Sequence, residues 1–571
     1  MVPVSFPPAL VEAQAEPLGA LLTRARQARD LGHFAEAIKA YDAMLAQVPD
    51  HETALLERSE TLGWMGQYPA AKEGYLAFRK QYPARALSAD LALAKLAAWQ
   101  NRSSEAIQIL DPWIKQEQRQ AILDGATYLS WGGRLAESLT RIRRWLVGHP
   151  EDRQARLLEA RVLSWAGQNA RARESYSRLL TADPQDREAL LGLTRLAVWE
   201  GDTREARRIL DRLSAEGLAQ PDAQVMLGQV EVAEGRTRSG FRRASTQAAG
   251  GSAQRDAEEL RDDLVRAYGP WVEFSTNRTE TSEGLRTDNP GLRIRLPLGD
   301  GALNLGETFH RSAFQGLDSQ PSEASLGVAY PLGLGLNATG TVVRISNVGG
   351  LPAWGYGLGL GYTPLPGLDL NLARERNLAQ FTPQATLLRT AVVSTDLGAT
   401  WRFGQGRHAL SGGLGQADLS SDGAGSSLTS TRHSHFASYE YRFPIAALDL
   451  RGGLLSRGFG YSQSLPLGFF NPGDYRWDGG FGSATWRDGR VFELSAGAQV
   501  GNQRVNGGSG QVTWSYRLGL TWSPRTWPLD LSLFWNQSQA GLPVTTPLDL
   551  SSYREHTLGA AIKIRGTKWI W

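Results

Sequence analysis

The chain contains no cysteine. That excludes a disulfide framework, cysteine-ligated zinc, iron–sulfur clusters and a thiol nucleophile. No stretch of about 18 consecutive apolar residues is present, so no transmembrane helix is encoded. An excess of one charge is missing too. The 61 basic residues stand against 58 acidic ones, which argues against a nucleic-acid partner, because phosphate backbones are held by basic patches. Walker, H-E-x-x-H and G-x-S-x-G motifs are all absent. The eight histidines are scattered, and His433 and His435 share one strand face without further ligands nearby, so they are expected at the rim of a sheet and not around a metal. No cofactor is expected, and a non-enzymatic role follows.

What is present is unevenly placed. Of the 63 glycines, 44 lie in 271–571, and that half is also rich in Thr, Ser and aromatic residues, which favour strands and tight turns. The first half is rich in Ala, Leu, Arg and Glu, which favour helices. Four segments are expected: a lead over 1–17 in which Ala13-Gln14-Ala15 has the form of a signal-cleavage site, a helical domain over 18–250, a connector over 251–270 containing an amphipathic helix, and a strand domain over 271–571.

The helical domain repeats. Gly32, Gly66, Gly133, Gly167, Gly201 and Gly235 fall at multiples of about 34 residues, and Pro49, Pro83, Pro150 and Pro184 close four of the units. Small residues (Ala37, Ala71, Ser138, Ala172, Ala206) precede larger ones (Tyr41, Tyr75, Ile142, Tyr176, Leu210). The small residue lets two helices approach, the large one fills the neighbouring groove, and proline ends the second helix. The segment 84–118 fits with a slip of one residue and lacks the proline. This pattern resembles the tetratricopeptide repeat, with six good units over 18–220 and a decayed seventh reaching about 250. Trp64, Trp99, Trp131, Trp165 and Trp199 recur near the end of the first helix of successive units. Packing between stacked repeats is the simpler expectation for these rings; a track for stacking sugars or a partner peptide is the sharper one.

In 271–571 the period becomes two. Val512, Trp514, Tyr516, Leu518, Leu520 and Trp522 alternate with polar residues and glycine, as do Leu529, Leu531, Leu533 and Trp535, with Phe534 as an exception. Tight turns near 298–301, 331–333, 364–367, 404–406, 443–444, 487–490 and 523–525 take turns with longer polar loops near 279–291, 314–323, 376–388, 417–430, 458–475, 501–510 and 537–552. This asymmetry, with an even count of about 16 strands and one continuously apolar face, predicts a transmembrane antiparallel β-barrel. Closure also removes the edges that so many long strands would expose. The fold class is therefore α + β multidomain, an all-α solenoid followed by an outer-membrane barrel with both barrel ends, and the solenoid, in the periplasm.

Alternation assigns an inward set: Arg293, Arg295, Asp369, Asp396, Arg402, Glu440, Arg442, Asp449, Arg451, Glu493, Arg517, Asp530, Lys563 and Arg565. Its mixed signs suit a neutral or weakly charged polymer. The segment 458–475 is too apolar for a free loop, and Phe469, Phe470, Asn471, Pro472 and Tyr475 are expected to fold back over the lumen and gate it. Trp569 and Trp571 end the last strand, and a terminal aromatic resembles the insertion signal read by the barrel assembly machinery.

Repeats joined to a C-terminal barrel resemble the exopolysaccharide export porins, including the outer-membrane subunit of bacterial cellulose synthase and the exporters of poly-N-acetylglucosamine and Pel polysaccharide. The local support is Gly468-Phe469-Phe470-Asn471-Pro472-Gly473-Asp474-Tyr475, similar to the G-Y-F-x-P-x-x-Y segment of cellulose-type barrels with Phe469 replacing tyrosine. The run from Glu283-Gly284-Leu285 to Leu292–Leu298 is similar to the start of the same barrels. The helical part is shorter than in the cellulose-type subunits. The resemblance implies a polysaccharide as cargo, outer-membrane lipid around the barrel, and synthase components held by the repeats. The rival expectations are a receptor or assembly module whose outer loops bind ligands or phage, and a general diffusion porin.

Overall fold

The computed structural model describes residues 16–248, 254–349, 351–421, 428–445, 448–465, 469–488, 491–524, 527–539 and 553–566. Within 18–247 it forms fifteen α-helices, fourteen of them paired as antiparallel hairpins: Leu18–Asp30 with Phe34–Gln47, Glu52–Trp64 with Tyr68–Gln81, Ala86–Trp99 with Ser103–Lys115, Arg119–Trp131 with Leu135–Gly148, Arg153–Trp165 with Asn169–Ala182, Arg187–Trp199 with Thr203–Leu210, and Pro221–Ala233 with Thr237–Gln247, with the short helix Ala215–Ala219 before the last pair. The seventh pair is complete, so the repeat is less decayed than its sequence suggests.

The periodic residues have distinct physical tasks. Gly32, Gly66, Gly133, Gly167, Gly201 and Gly235 all turn with positive φ, a region that costs a Cβ-bearing residue energy. In the slipped unit Asn101 takes that conformation instead, at φ 61°, which asparagine tolerates better than most residues. Ala37, Ala71, Ala172 and Ser138 are fully buried where helices touch, and Tyr41, Tyr75 and Tyr176 fill the grooves beside them. Helix Gln254–Tyr268 follows and leads into the first strand.

The described residues form two compact units: one within 16–196, 207–224 and 247–255, the other within 197–206, 225–246 and 256–566. In the second unit, the tight turn around Asp300 caps the helix Thr237–Gln247. The Arg238 backbone N–H donates to the Asp300 carboxylate at 2.8 Å, and the Thr237 hydroxyl donates to the Asp300 carbonyl at 3.2 Å. A carboxylate at a helix N-terminus satisfies free N–H groups and meets the positive end of the dipole.

The strands form one closed antiparallel sheet of sixteen staves, several interrupted by a residue or two. They are Trp271–Thr281; Arg286–Asp288 with Gly291–Leu298; Gly301–Phe309 with Arg311–Phe314; Leu317–Ser319 with Ser322–Gly333; Leu336–Val348; Leu351–Leu365; Leu368–Leu378; Ala391–Phe403; His408–Ser421; Leu428–Phe443; Leu448–Tyr461; Tyr475–Asp488; Phe492–Val505; Gln511–Trp522; Leu529–Ser538; and Glu555–Arg565. The first strand pairs with the second and also with the last, from Trp271↔Arg565 to Thr281↔Glu555, so the barrel has no edge. Outward rows of Leu358, Leu372, Leu397, Leu414, Leu454 and Leu518 are exposed, the surface a lipid bilayer would cover.

The long connections are shorter than the sequence suggests. Strand pairing continues through much of 279–291 and 417–430, with Arg278↔Asp288 and Ser421↔Leu428 still in register. Polar strands need no lipid to stay paired, so loss of apolar alternation marks the edge of the membrane band and not the end of the strand. One connection on the same side, Val348 to Leu351, is tight and lies outside the expected long-loop set. The loop 537–552 falls largely outside the described residues, as do Trp569 and Trp571 and the lead 1–15.

Candidate functional site: the barrel lumen

Cross-strand partners share a face, so the register fixes which side chains line the lumen. Glu273 pairs with Arg293 and Lys563, Trp271 with Arg295 and Arg565, Asp530 with Lys563, and Arg442 with Arg451. The same bookkeeping places Asp369, Asp396, Arg402, Glu440, Asp449, Glu493 and Arg517 inward. All fourteen inward candidates therefore stand on one face.

Most of them also share one height. Asp369, Arg402, Arg442, Asp449, Glu493, Asp530, Lys563 and Arg565 lie within a few residues of the short turns, forming a charged girdle at that mouth. The girdle is internally paired. Glu273 binds both Arg293 and Lys563, the latter at 3.0 Å. Asp530 meets Arg565 at 2.9 Å, and Glu493 meets Arg487 at 2.7 Å. Asp449 sits between Arg442 at 2.9 Å and Arg451 at 2.8 Å, and Arg451 also reaches Glu440 at 3.3 Å; Asp369 pairs with Arg402. Exposed pairs of this kind add little stability each. Their effect here is on the field, since they cancel at short range and leave no strong single-sign potential at that mouth.

Asp396 and Arg517 stand apart, nearer mid-height. Asp396 lies over Gly415, and Arg517 stacks 4.9 Å from the ring centroid of Phe534. Around them the wall is mainly hydroxyl, amide and glycine: Asn304, Ser325, Thr341, Asn371, Ser411, Ser434 and Ser515 share the inward face. Phe534 is inward, which explains its break in the apolar alternation. Its ring occupies the space above Gly559 on the next strand, as Phe436 does above Gly413 and Phe481 above Gly453. An aromatic ring over a cross-strand glycine covers otherwise bare backbone.

The segment after Tyr461 turns inward at the long-loop end. Phe470 and Tyr475 pack with Trp477 against Leu455, Phe459 and Val505, while Phe469 lies against Leu419 and Tyr461. Leu455, Phe459, Tyr461, Tyr475 and Trp477 all belong to the inward register, so these contacts are on the lumen side. Asn471, 3 % exposed, ties the segment: its amide donates to the Leu465 carbonyl at 2.7 Å, and its oxygen accepts from the Leu465 N–H at 3.0 Å and the Ser464 hydroxyl at 2.9 Å. Pro472 continues the tie through its carbonyl, which accepts from the Tyr461 N–H.

The repeat tryptophans depart from the simpler expectation. Trp64, Trp131, Trp165 and Trp199 are 39, 50, 41 and 53 % exposed, and Trp99 is partly buried beneath Lys95. The small and large residues of the repeat already fill the helix interfaces, so a ring at the last residue of the first helix is left over the rim.

A second periodic set was missed. Arg85, Arg119, Arg153 and Arg187 recur every 34 residues, and each bonds an acid of an adjoining unit: Glu52 at 3.2 Å, Asp152 at 2.7 Å, Asp186 at 2.7 Å and Asp222 at 3.5 Å. Hydrogen bonds from Arg119, helped by Trp145 and the Ala155 N–H, hold the Asp152 carboxyl well below the usual carboxylate range. For Asp186, burial pushes the pKa up, but the Arg153 fork and the Ala189 N–H outweigh it and the net shift is downward. The 34-residue spacing of these arginines was the available signal.

Tetratricopeptide repeat models match residues 22–62 and 166–230. No curated protein matches the sequence. Similar solved structures include one described as a bacterial polysaccharide outer membrane secretin, at 12% identity over 52% of this chain and 98% of that one, TM-score 0.43. Others are a tetratricopeptide repeat protein from Parabacteroides merdae (14% identity, 43% of this chain, 98% of that one, TM-score 0.34) and OmpT, an outer membrane protein of Vibrio cholerae (11%, 52%, 96%, TM-score 0.30). The repeats, the closed sixteen-strand barrel and its apolar exterior define the class: a membrane-type β-barrel carrying a tetratricopeptide repeat arm.

Proposed function

We propose that the barrel conducts a neutral or weakly charged polysaccharide from the periplasm to the cell surface, with no catalytic step in the barrel. The observation that carries this reading is the lumen itself. Its entrance charges are paired with one another, and the wall above them offers hydroxyls, amides and glycine. A hydrated polymer slides along such a wall through weak, repeated contacts, whereas an unpaired ring of one sign would trap a polyion. The helix capped at Asp300 sits at a short turn, which supports a periplasmic position for the last repeat.

In this reading the arm recruits the synthase or guides its product. Solenoids of this type bind proteins along an extended surface, and the exposed tryptophans at the helix ends supply apolar anchors for such contacts. The test is electrical. In planar bilayers, neutral gluco-oligosaccharides added on the short-turn side should interrupt the ion current, with residence times rising with oligomer length. Oligouronates of the same length should block less. Stronger block by the polyanion, or no block by any saccharide, overturns the proposal.

A further inference from the structure

On the outward face of the barrel, above the exposed row Leu372–Leu397–Leu414, two adjoining cross-strand rows turn basic. One runs Arg374–Thr395–Gln416–His433–Gly460; the other continues the leucine row through His435–Gly458–Arg476–Arg504. Arg476 and Arg504 are therefore direct partners on the same face, and like charges placed opposite each other destabilise a sheet unless an anion lies between them. Arg476 has one acid, Asp474, at 3.5 Å, and Arg504 has none among the described residues. Gly458 and Gly460 leave space in the rows; the His435 imidazole lies over Gly458, where a Cβ would come within 2.8 Å of it. Arg374 donates to the Thr395 hydroxyl at 3.0 Å, which steadies its guanidinium along the wall, and it too has no carboxylate partner among the described residues. Of the basic side chains only Arg374, His433 and His435 border a depression of about 660 Å³, which Leu397, Leu414 and Asp418 also line. The acids on this face, Asp418 and Asp478, are bonded to Thr431 and Ser456.

Height identifies the ligand class. At ~3.3 Å per residue and ~40° of tilt, the strand from Phe443 to His435 rises about 20 Å, close to the thickness of the apolar band. The opposite edge of the band carries Trp401, Phe443, Trp486, Phe492 and Trp522, with no outward arginine or lysine among the described strand residues. The two edges thus face different headgroups: an aromatic edge at the short turns and a cationic one at the long loops. Guanidinium forks match phosphate oxygens in charge and geometry.

We propose that His435, Arg476 and Arg504, on one cross-strand row over four adjoining strands, form a docking site for the phosphates of a phosphorylated lipid headgroup in the outer leaflet. The site is on the exterior wall, so it is independent of what the lumen carries. The test uses the full-length protein folded in detergent, with binding of phosphorylated lipid A, dephosphorylated lipid A and inorganic phosphate followed by native mass spectrometry. Phosphorylated lipid A should bind at least tenfold more tightly than its dephosphorylated form. Arg476→Gln/Arg504→Gln should remove that difference while the barrel keeps its heat-modifiable mobility. Should the double variant not fold, Arg504→Gln alone should weaken binding several-fold. Equal binding of both lipids, or wild-type affinity in a folded variant, overturns the site; displacement of the lipid by inorganic phosphate at equal concentration overturns the lipid assignment.

Discussion

Arg153 grips Asp186 of the following repeat through two parallel hydrogen bonds, of 2.8 and 2.7 Å, while the same carboxylate caps its own helix at Ala189. One buried acid thus joins two repeats and starts a helix. Arg119 and Asp152 do the same one unit earlier.

This arrangement makes the arm acid-sensitive. Both carboxyls have folded pKa values below their unfolded ones, so their contribution is fully present above the unfolded value of about 3.9 and is lost as pH falls through the folded values. Helix stability, followed by circular dichroism at 222 nm during denaturant titration of the whole protein, should be flat from pH 7 to 5 and fall below pH 4. Asp186→Ala should cost roughly 1–2 kcal/mol at neutral pH through the lost cap and fork, and should blunt the acid slope. An unaltered slope in the variant would contradict the assignment.

The exposed tryptophans give a contrast with the buried tyrosines of the paired helices. Trp131→Ala or Trp165→Ala removes a half-exposed ring and should cost about 1 kcal/mol or less. Tyr176→Ala empties a groove in which the ring is 2 % exposed and should cost roughly 3–5 kcal/mol. Equal melting losses for the two classes would place the tryptophans in the core.

Much of this was legible because the relevant patterns are periodic. Alternation put Asp369, Arg402 and Asp530 on the inner face, since a strand reverses faces at every residue. Phe534 breaks the apolar alternation because it faces inward over a glycine of the next strand, and only pairing reveals that Gly559 lies beneath it. The grouping of the inner charges into one paired girdle was not legible either, because it depends on the stagger between strands. The tryptophan spacing was visible, but not which side of the helix the small residues already occupied. The cationic outer rows combine residues from strands as distant in sequence as Arg374 and Arg504, and nothing local signals them.

Within the inward segment after Tyr461, Asn471 ties Ser464 and Leu465 together. Asn471→Ala leaves the Leu465 N–H and carbonyl without their partner in a buried place, a loss of about 1–3 kcal/mol concentrated in that segment. If the segment obstructs the exit, the variant should show higher single-channel conductance and more frequent transitions in planar bilayers, and deletion of 464–474 should show a larger increase. Wild-type conductance in both folded variants would restrict the segment to a packing role.

The charge pairing at the short-turn mouth predicts selectivity. Glu273 is 7 % exposed and neutralises two cations at once, Arg293 and Lys563. Glu273→Gln keeps the shape and the hydrogen-bonding capacity but leaves both cations uncompensated in the lumen. Under a potassium chloride gradient the reversal potential should move toward the chloride equilibrium value, and the shift should shrink at high salt as the Debye length contracts to about 3 Å at 1 M. Lys563→Met should move it the opposite way, since Glu273 then has only Arg293, and the double variant should return near the wild-type value. Additive shifts of the same sign from the two single changes would show that these groups are not coupled across the mouth.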